Sequence, residues 1–79
     1  MKIVINHYTK DETNRPKVLT WAAVQFEGDT EIVSHTANGR TSVPDDVVIE
    51  DNYTTEFLSG LVLELEGEAK ILNRMDPSP

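Results

Sequence analysis

Apolar and polar positions alternate over the first half of the chain and change period in the second. From Lys2 to Tyr8, Ile3 and Ile5 alternate with Lys2, Val4 and Asn6 among β-branched neighbours, which predicts a strand. Thr9–Pro16 carries Lys10, Asp11, Glu12, Asn14 and Arg15 with no apolar period and reads as an exposed, mobile loop. Lys17–Phe26 is the strongest strand signal. Val18, Thr20, Ala22, Val24 and Phe26 share one parity, and Leu19, Trp21, Ala23 and Gln25 share the other. Two largely apolar faces predict a central strand with a helix on one side. Glu27-Gly28-Asp29-Thr30 is a compact turn in which Gly28 supplies positive φ, and Glu31–Thr36 returns as an antiparallel strand. Asn38-Gly39 is the strongest local turn signal, because both residues tolerate left-handed backbone. Val47–Ile49 is short, β-branched and flanked by Asp45, Asp46, Glu50 and Asp51, a pattern that suits an edge strand open to dimerisation by strand pairing.

Tyr53–Glu66 supports two readings. As a helix it places Phe57, Leu61 and Leu65 at i, i+4 and i+8 with Leu58 and Val62 beside them, capped by Asn52 or Thr54. As strands, Leu61, Leu63 and Leu65 alternate with Val62, Glu64 and Glu66. The helix explains more residues, although Gly60 in its interior costs about 1 kcal/mol relative to alanine. Ala69–Met75 then reads as a strand centred on Ile71 and Leu72, followed by a flexible tail, Asp76–Pro79. The expected architecture is a single small α+β domain over residues 1–79: an antiparallel β-meander with one packed helix and a C-terminal strand.

Composition narrows the function. With 79 residues, 38% of them hydrophobic, the chain has material for one modest core and is too short for a dinucleotide-binding domain or a catalytic barrel. Fourteen acids against seven bases give a net charge of −7, which disfavours direct binding to nucleic acid or to membrane surfaces. No cysteine is present, so disulfides and thiolate metal sites are excluded. No stretch reaches a spanning length and the N-terminus has no apolar signal core, so a soluble, unprocessed, cytoplasmic chain is expected, in its own cell or in an infected host. The charge is unevenly placed. Residues 1–26 carry four bases and two acids, whereas residues 27–68 carry eleven acids and one base, Arg40. Such a segment is either an ordinary solvated face or a surface that steers a basic partner into place.

Motifs of chemistry are few. There is no glycine-rich phosphate loop, no His-Glu-x-x-His and no calcium loop, and no serine lies in a nucleophile elbow. His7 and His35, on different strands, make a poor metal site without a third ligand. The pairs Asp45-Asp46 and Glu50-Asp51 and the series Glu64, Glu66 and Glu68 would need a desolvating cleft to act as acids or ion ligands. No catalytic residue, metal ligand or cofactor is expected. As a contact surface, Asp45, Asp46, Glu50 and Asp51 are the most concentrated choice, with Tyr53 beside them as an aromatic anchor. Trp21 reads as a core residue or, in the alternative, as an anchor of a binding surface.

The order of elements also resembles the first half of a ribonuclease H-like domain. Ile3–Tyr8 and Trp21-Ala22-Ala23-Val24 look like its first two strands, Thr54-Thr55-Glu56-Phe57-Leu58 like its helix, and Ile71–Asp76 like the following strand. The resemblance implies a divalent-ion-dependent nuclease with Glu56 and Asp76 as metal-binding acids. It departs from that family at the end of the first strand, where Asn6-His7-Tyr8-Thr9 stands in place of an acid. Read from its charge, the chain is instead expected to be a non-enzymatic protein-binding module. The physical description fits an acidic inhibitor, such as a phage-encoded antagonist or nucleic-acid mimic, whose carboxylates replace phosphates in the groove of a basic nucleic-acid-processing protein. A small structural or assembly subunit is the third class.

Overall fold

The structure, a computed structural model, describes residues 1–75, apart from the side chains at 33 and 34. Three antiparallel strands, β1 (Lys2–Lys10), β2 (Pro16–Glu27) and β3 (Thr30–Ser42), form a meander in the order β1-β2-β3. Two helices follow, α1 (Thr55–Glu66) and α2 (Glu68–Met75). The α+β meander with a packed helix is thus as expected, with β2 at its centre. Asp76 and the predicted tail to Pro79 lie outside the described residues.

One face of the sheet is covered. Leu19, Trp21 and Ala23 of β2 are buried there, with Ile3 of β1 and Ala37 and Thr41 of β3. The helices contribute Leu58, Leu61, Val62, Ile71 and Met75 to the same core. Strand β1 keeps its apolar side chains on this face through an irregularity. Ile5 pairs with Trp21 but His7 pairs with Thr20, so Asn6 is an extra residue and the parity shifts. Tyr8 consequently falls opposite Leu19, on the covered side. The β2–β3 connection has two central residues, Gly28 and Asp29, between the paired Glu27 and Thr30. Only Gly28 takes positive φ (63°), the pattern of a type II′ hairpin.

Three expectations are corrected. Asn38-Gly39 is not a turn: both residues lie inside β3, paired with Ala22 and Trp21. Glycine is required there by close approach, since a Cβ at position 39 would lie 2.5 Å from Cζ2 and 2.9 Å from Cε2 of the Trp21 ring. The C-terminal strand is a helix. Ile71 and Met75 are buried and Leu72 half-buried, whereas Asn73 is exposed; a strand would place Asn73 on the same face as Ile71 and Met75, and a helix turns it away. Gly67, at φ 90°, separates this helix from α1 and donates its N–H to Leu63 O at 3.0 Å. Finally, Val47–Ile49 does not form an edge strand; it lies in the irregular connection between β3 and α1. Thr54, one of the two expected caps, does start α1, its Oγ1 accepting from Phe57 N at 3.1 Å.

The polar groups within the core are paired. Trp21 Nε1 donates to Thr41 Oγ1 at 2.8 Å, and Thr41 Oγ1 donates to Glu66 Oε2 at 2.7 Å. Arg74 lies over the Trp21 ring, 5.6 Å from its centroid, and donates to Asn38 O. Trp21, at 1% exposure, is therefore a core residue and not a surface anchor.

Candidate functional site

The connection from Pro44 to Thr54 crosses the end of the sheet and carries the four carboxylates singled out in the sequence. Asp45 and Asp46 are the central residues of a turn closed by Val47 N donating to Pro44 O at 3.2 Å. Arg15 holds both ends of this turn: its Nη2 donates to Pro44 O at 2.6 Å and to Val47 O at 2.7 Å. Arg15 is itself positioned by Asp11, whose Oδ1 accepts from Thr13 N at 2.8 Å, Thr13 Oγ1 at 2.7 Å and Arg15 N at 3.0 Å. These bonds hold the Asp11 carboxyl below its ordinary pKa, with the Thr13 hydroxyl the largest cause. The segment read as a mobile loop is therefore a built turn. Asp11 organises it and Asn14 completes it at φ 67°.

Tyr53 secures the other end of the connection. Its backbone N–H donates to Glu50 O at 3.2 Å, and its ring meets Tyr8 edge-on, with centroids 5.9 Å apart and planes at 75°. The side-chain hydrogen bond with Tyr8 raises the Tyr53 pKa above its ordinary 10.0, and burial adds to the effect. Lys10 sits 5.8 Å from the centroid of the Tyr8 ring.

Between these two anchors the surface is acidic with an apolar crest. Val48 is 83% exposed. A shallow cleft of ≈ 340 Å³ separates it from the partly exposed Phe57, with Glu50, Asn52 and Tyr53 on its walls. A second cleft of ≈ 340 Å³ lies on the other side of Tyr53, with Thr13, Asn14 and Arg15 facing Glu50 and Asp51. The structure thus brings Glu50, Asp51 and Tyr53 together around two neighbouring depressions. Asp45 and Asp46 are exposed on the adjacent turn and line neither cleft. Val48, Phe57 and Arg15 are the members that sequence reading missed. The sequence pattern places Val48 in an edge strand and Phe57 in the apolar stripe of a helix, and the contacts of Arg15 span 29 and 32 residues. The short spacing of Asp11 and Thr13 was the one local signal that the Arg15 turn is ordered.

The remaining candidates do not converge. His7 and His35 lie on β1 and β3, the two outer strands, with β2 between them. Glu66 is engaged by Thr41, whereas Glu64 and Glu68 are exposed. Among the described residues no three His, Asp or Glu side chains are placed to hold a metal ion. Glu56 is exposed in the first turn of α1, beside the start of β1. The segment from Ile71, which the ribonuclease H-like resemblance aligns with a strand, is helical to Met75. Among the described residues no helix is long and apolar enough to cross a membrane. No protein-family model, curated protein or solved structure matches this chain.

Proposed function

We propose that this protein is a non-enzymatic binding module whose connection from Pro44 to Thr54 docks on a basic protein. The observation that carries the reading is the exposed Val48, set between Asp45-Asp46 and Glu50-Asp51 on a backbone pinned by Arg15 and Tyr53. An apolar crest inside an acidic rim is the composition of a recognition surface: the crest supplies desolvation and the rim steers and selects the partner. Anchoring at both ends lowers the ordering cost on binding. A partner with a cationic groove, such as a nucleic-acid-processing protein, suits carboxylates that stand in for phosphates.

Affinity capture from host extract, eluted over a salt gradient, tests this. The expected result is a stoichiometric basic protein, released by moderate salt, whose capture is lost with Asp51→Lys and weakened by Val48→Asp. Capture that ignores both substitutions, or no partner at low salt, overturns the reading.

A further inference from the structure

A different surface, the outer edge of β3, carries its own chemistry. Val43 N donates to Lys17 O at 2.8 Å, which makes 17 and 43 a hydrogen-bonded pair. Such pairs recur at every second position of an antiparallel ladder, so Leu19/Thr41, Trp21/Gly39 and Ala23/Ala37 are hydrogen-bonded as well. Thr36, Asn38, Arg40 and Ser42 then turn their N–H and C=O groups away from β2, toward the edge. The contact of Arg74 with Asn38 O agrees with this direction. Seven successive pairs, from Val18/Ser42 to Val24/Thr36, run without a slip, so these groups are spaced as a regular strand presents them. The side chains of the same four residues are all exposed.

The two edges of the sheet differ in their protection. Strand β1 slips twice in register, and Ser59 Oγ donates to Ile3 O at 3.1 Å. Between Thr36 and Ser42, β3 has no slip, no proline and no lysine, and its devices against strand addition are the charge of Arg40 and the single Arg74 contact at Asn38 O. This stretch also contains no carboxylate in a chain of net charge −7, while Arg40 lies on it and Arg74 reaches it. Glu66 approaches β3 from the covered face but is taken by Thr41.

We infer that the β3 edge from Thr36 to Ser42 is a strand-addition site for an extended, acidic polypeptide segment. The segment's backbone would pair with Arg40 and with the Asn38 N–H, displacing Arg74 from Asn38 O, and its carboxylates would meet Arg40 on the uncovered face of the sheet. The test uses the full chain and an end-blocked nonapeptide of alternating glutamate and valine, with amide hydrogen exchange read residue by residue. The expected result is at least tenfold slower exchange at the Asn38 and Arg40 amides on saturation. The alternating lysine–valine peptide is expected to give no slowing, and Arg40→Glu to weaken binding roughly threefold at low salt. No slowing at Asn38 and Arg40, or equal slowing by the lysine peptide, overturns the inference. Slowing that rises with protein concentration in the absence of peptide overturns it in favour of a second copy of this chain. Because the Pro44–Thr54 surface takes no part, failure here leaves the proposed function standing.

Discussion

The Trp21 centre and the Pro44–Thr54 connection are both held by side-chain hydrogen bonds, yet they differ in what surrounds those bonds. Around Trp21 the bond to Thr41 is buried in the core, the bond from Thr41 to Glu66 leads to its half-buried margin, and the guanidinium of Arg74 lies over the ring. In the connection, Arg15 and Tyr53 fix the backbone at two places and leave Val48 in solvent. The first arrangement converts sequence into global stability. The second gives a shaped surface whose loss costs the fold little. The proposed docking surface thus lies on a segment with little buried apolar contact, the kind of region from which local opening is expected first.

That contrast is sharpest under truncation of the centre. Trp21→Ala removes the largest fully buried side chain and leaves the Thr41 hydroxyl without its donor. A loss of about 3–5 kcal/mol is expected, enough to unfold much of a domain this small in urea titration at room temperature. One substitution at two glycines separates packing from propensity. Gly39→Ala drives a Cβ into the Trp21 ring and is expected to destabilise by about 1–3 kcal/mol. Gly60→Ala, in a helix position with no atom within 4 Å of the new methyl, is expected to stabilise by about 1 kcal/mol. Equal effects of the two in thermal unfolding would contradict the packing of Trp21 against β3.

The connection is expected to respond locally. Arg15→Ala frees the carbonyls of Pro44 and Val47 and is expected to cost about 1–2 kcal/mol. Its signature is faster amide exchange at Val47 and Tyr53 with the core amides unchanged; a uniform rise in exchange would make Arg15 part of the global core. The smallest effect is expected from Tyr53→Phe, and it depends on pH. The folded state raises the Tyr53 pKa above 10.0, so the neutral phenol favours folding. That contribution is complete below pH 10 and is lost as pH rises through the folded value. The neutral plateau should therefore fall slightly in the variant and the alkaline limb flatten, so that the two stability–pH curves converge above pH 10.

Much of the fold was legible in the chain itself. The double-faced apolarity of 18–26 marks a central strand, Gly28 marks the hairpin, and the period of 57–65 with Thr54 ahead of it marks a capped helix. These signals are local, and their alternation or threefold-to-fourfold spacing repeats within a single element. Of the site, the sequence exposed the carboxylates and Tyr53 but not their arrangement.

What the sequence determined alone is the succession of three meander strands, the capped helix at 55–66 and the segregation of charge, because each is written in neighbouring residues. Tertiary structure decided the rest. Asn38-Gly39 has every local mark of a turn and is a strand because the Trp21 ring needs the space of a missing Cβ. Residues 68–75 hold too few apolar positions to distinguish strand from helix, and burial of Ile71 and Met75 with Asn73 exposed between them settles the choice. Val47–Ile49 has strand-forming residues, but Arg15, from a distant turn, takes the Pro44 and Val47 carbonyls and leaves Val48 as an exposed crest. In each case the deciding contact joins residues far apart in the chain, which no local pattern can record.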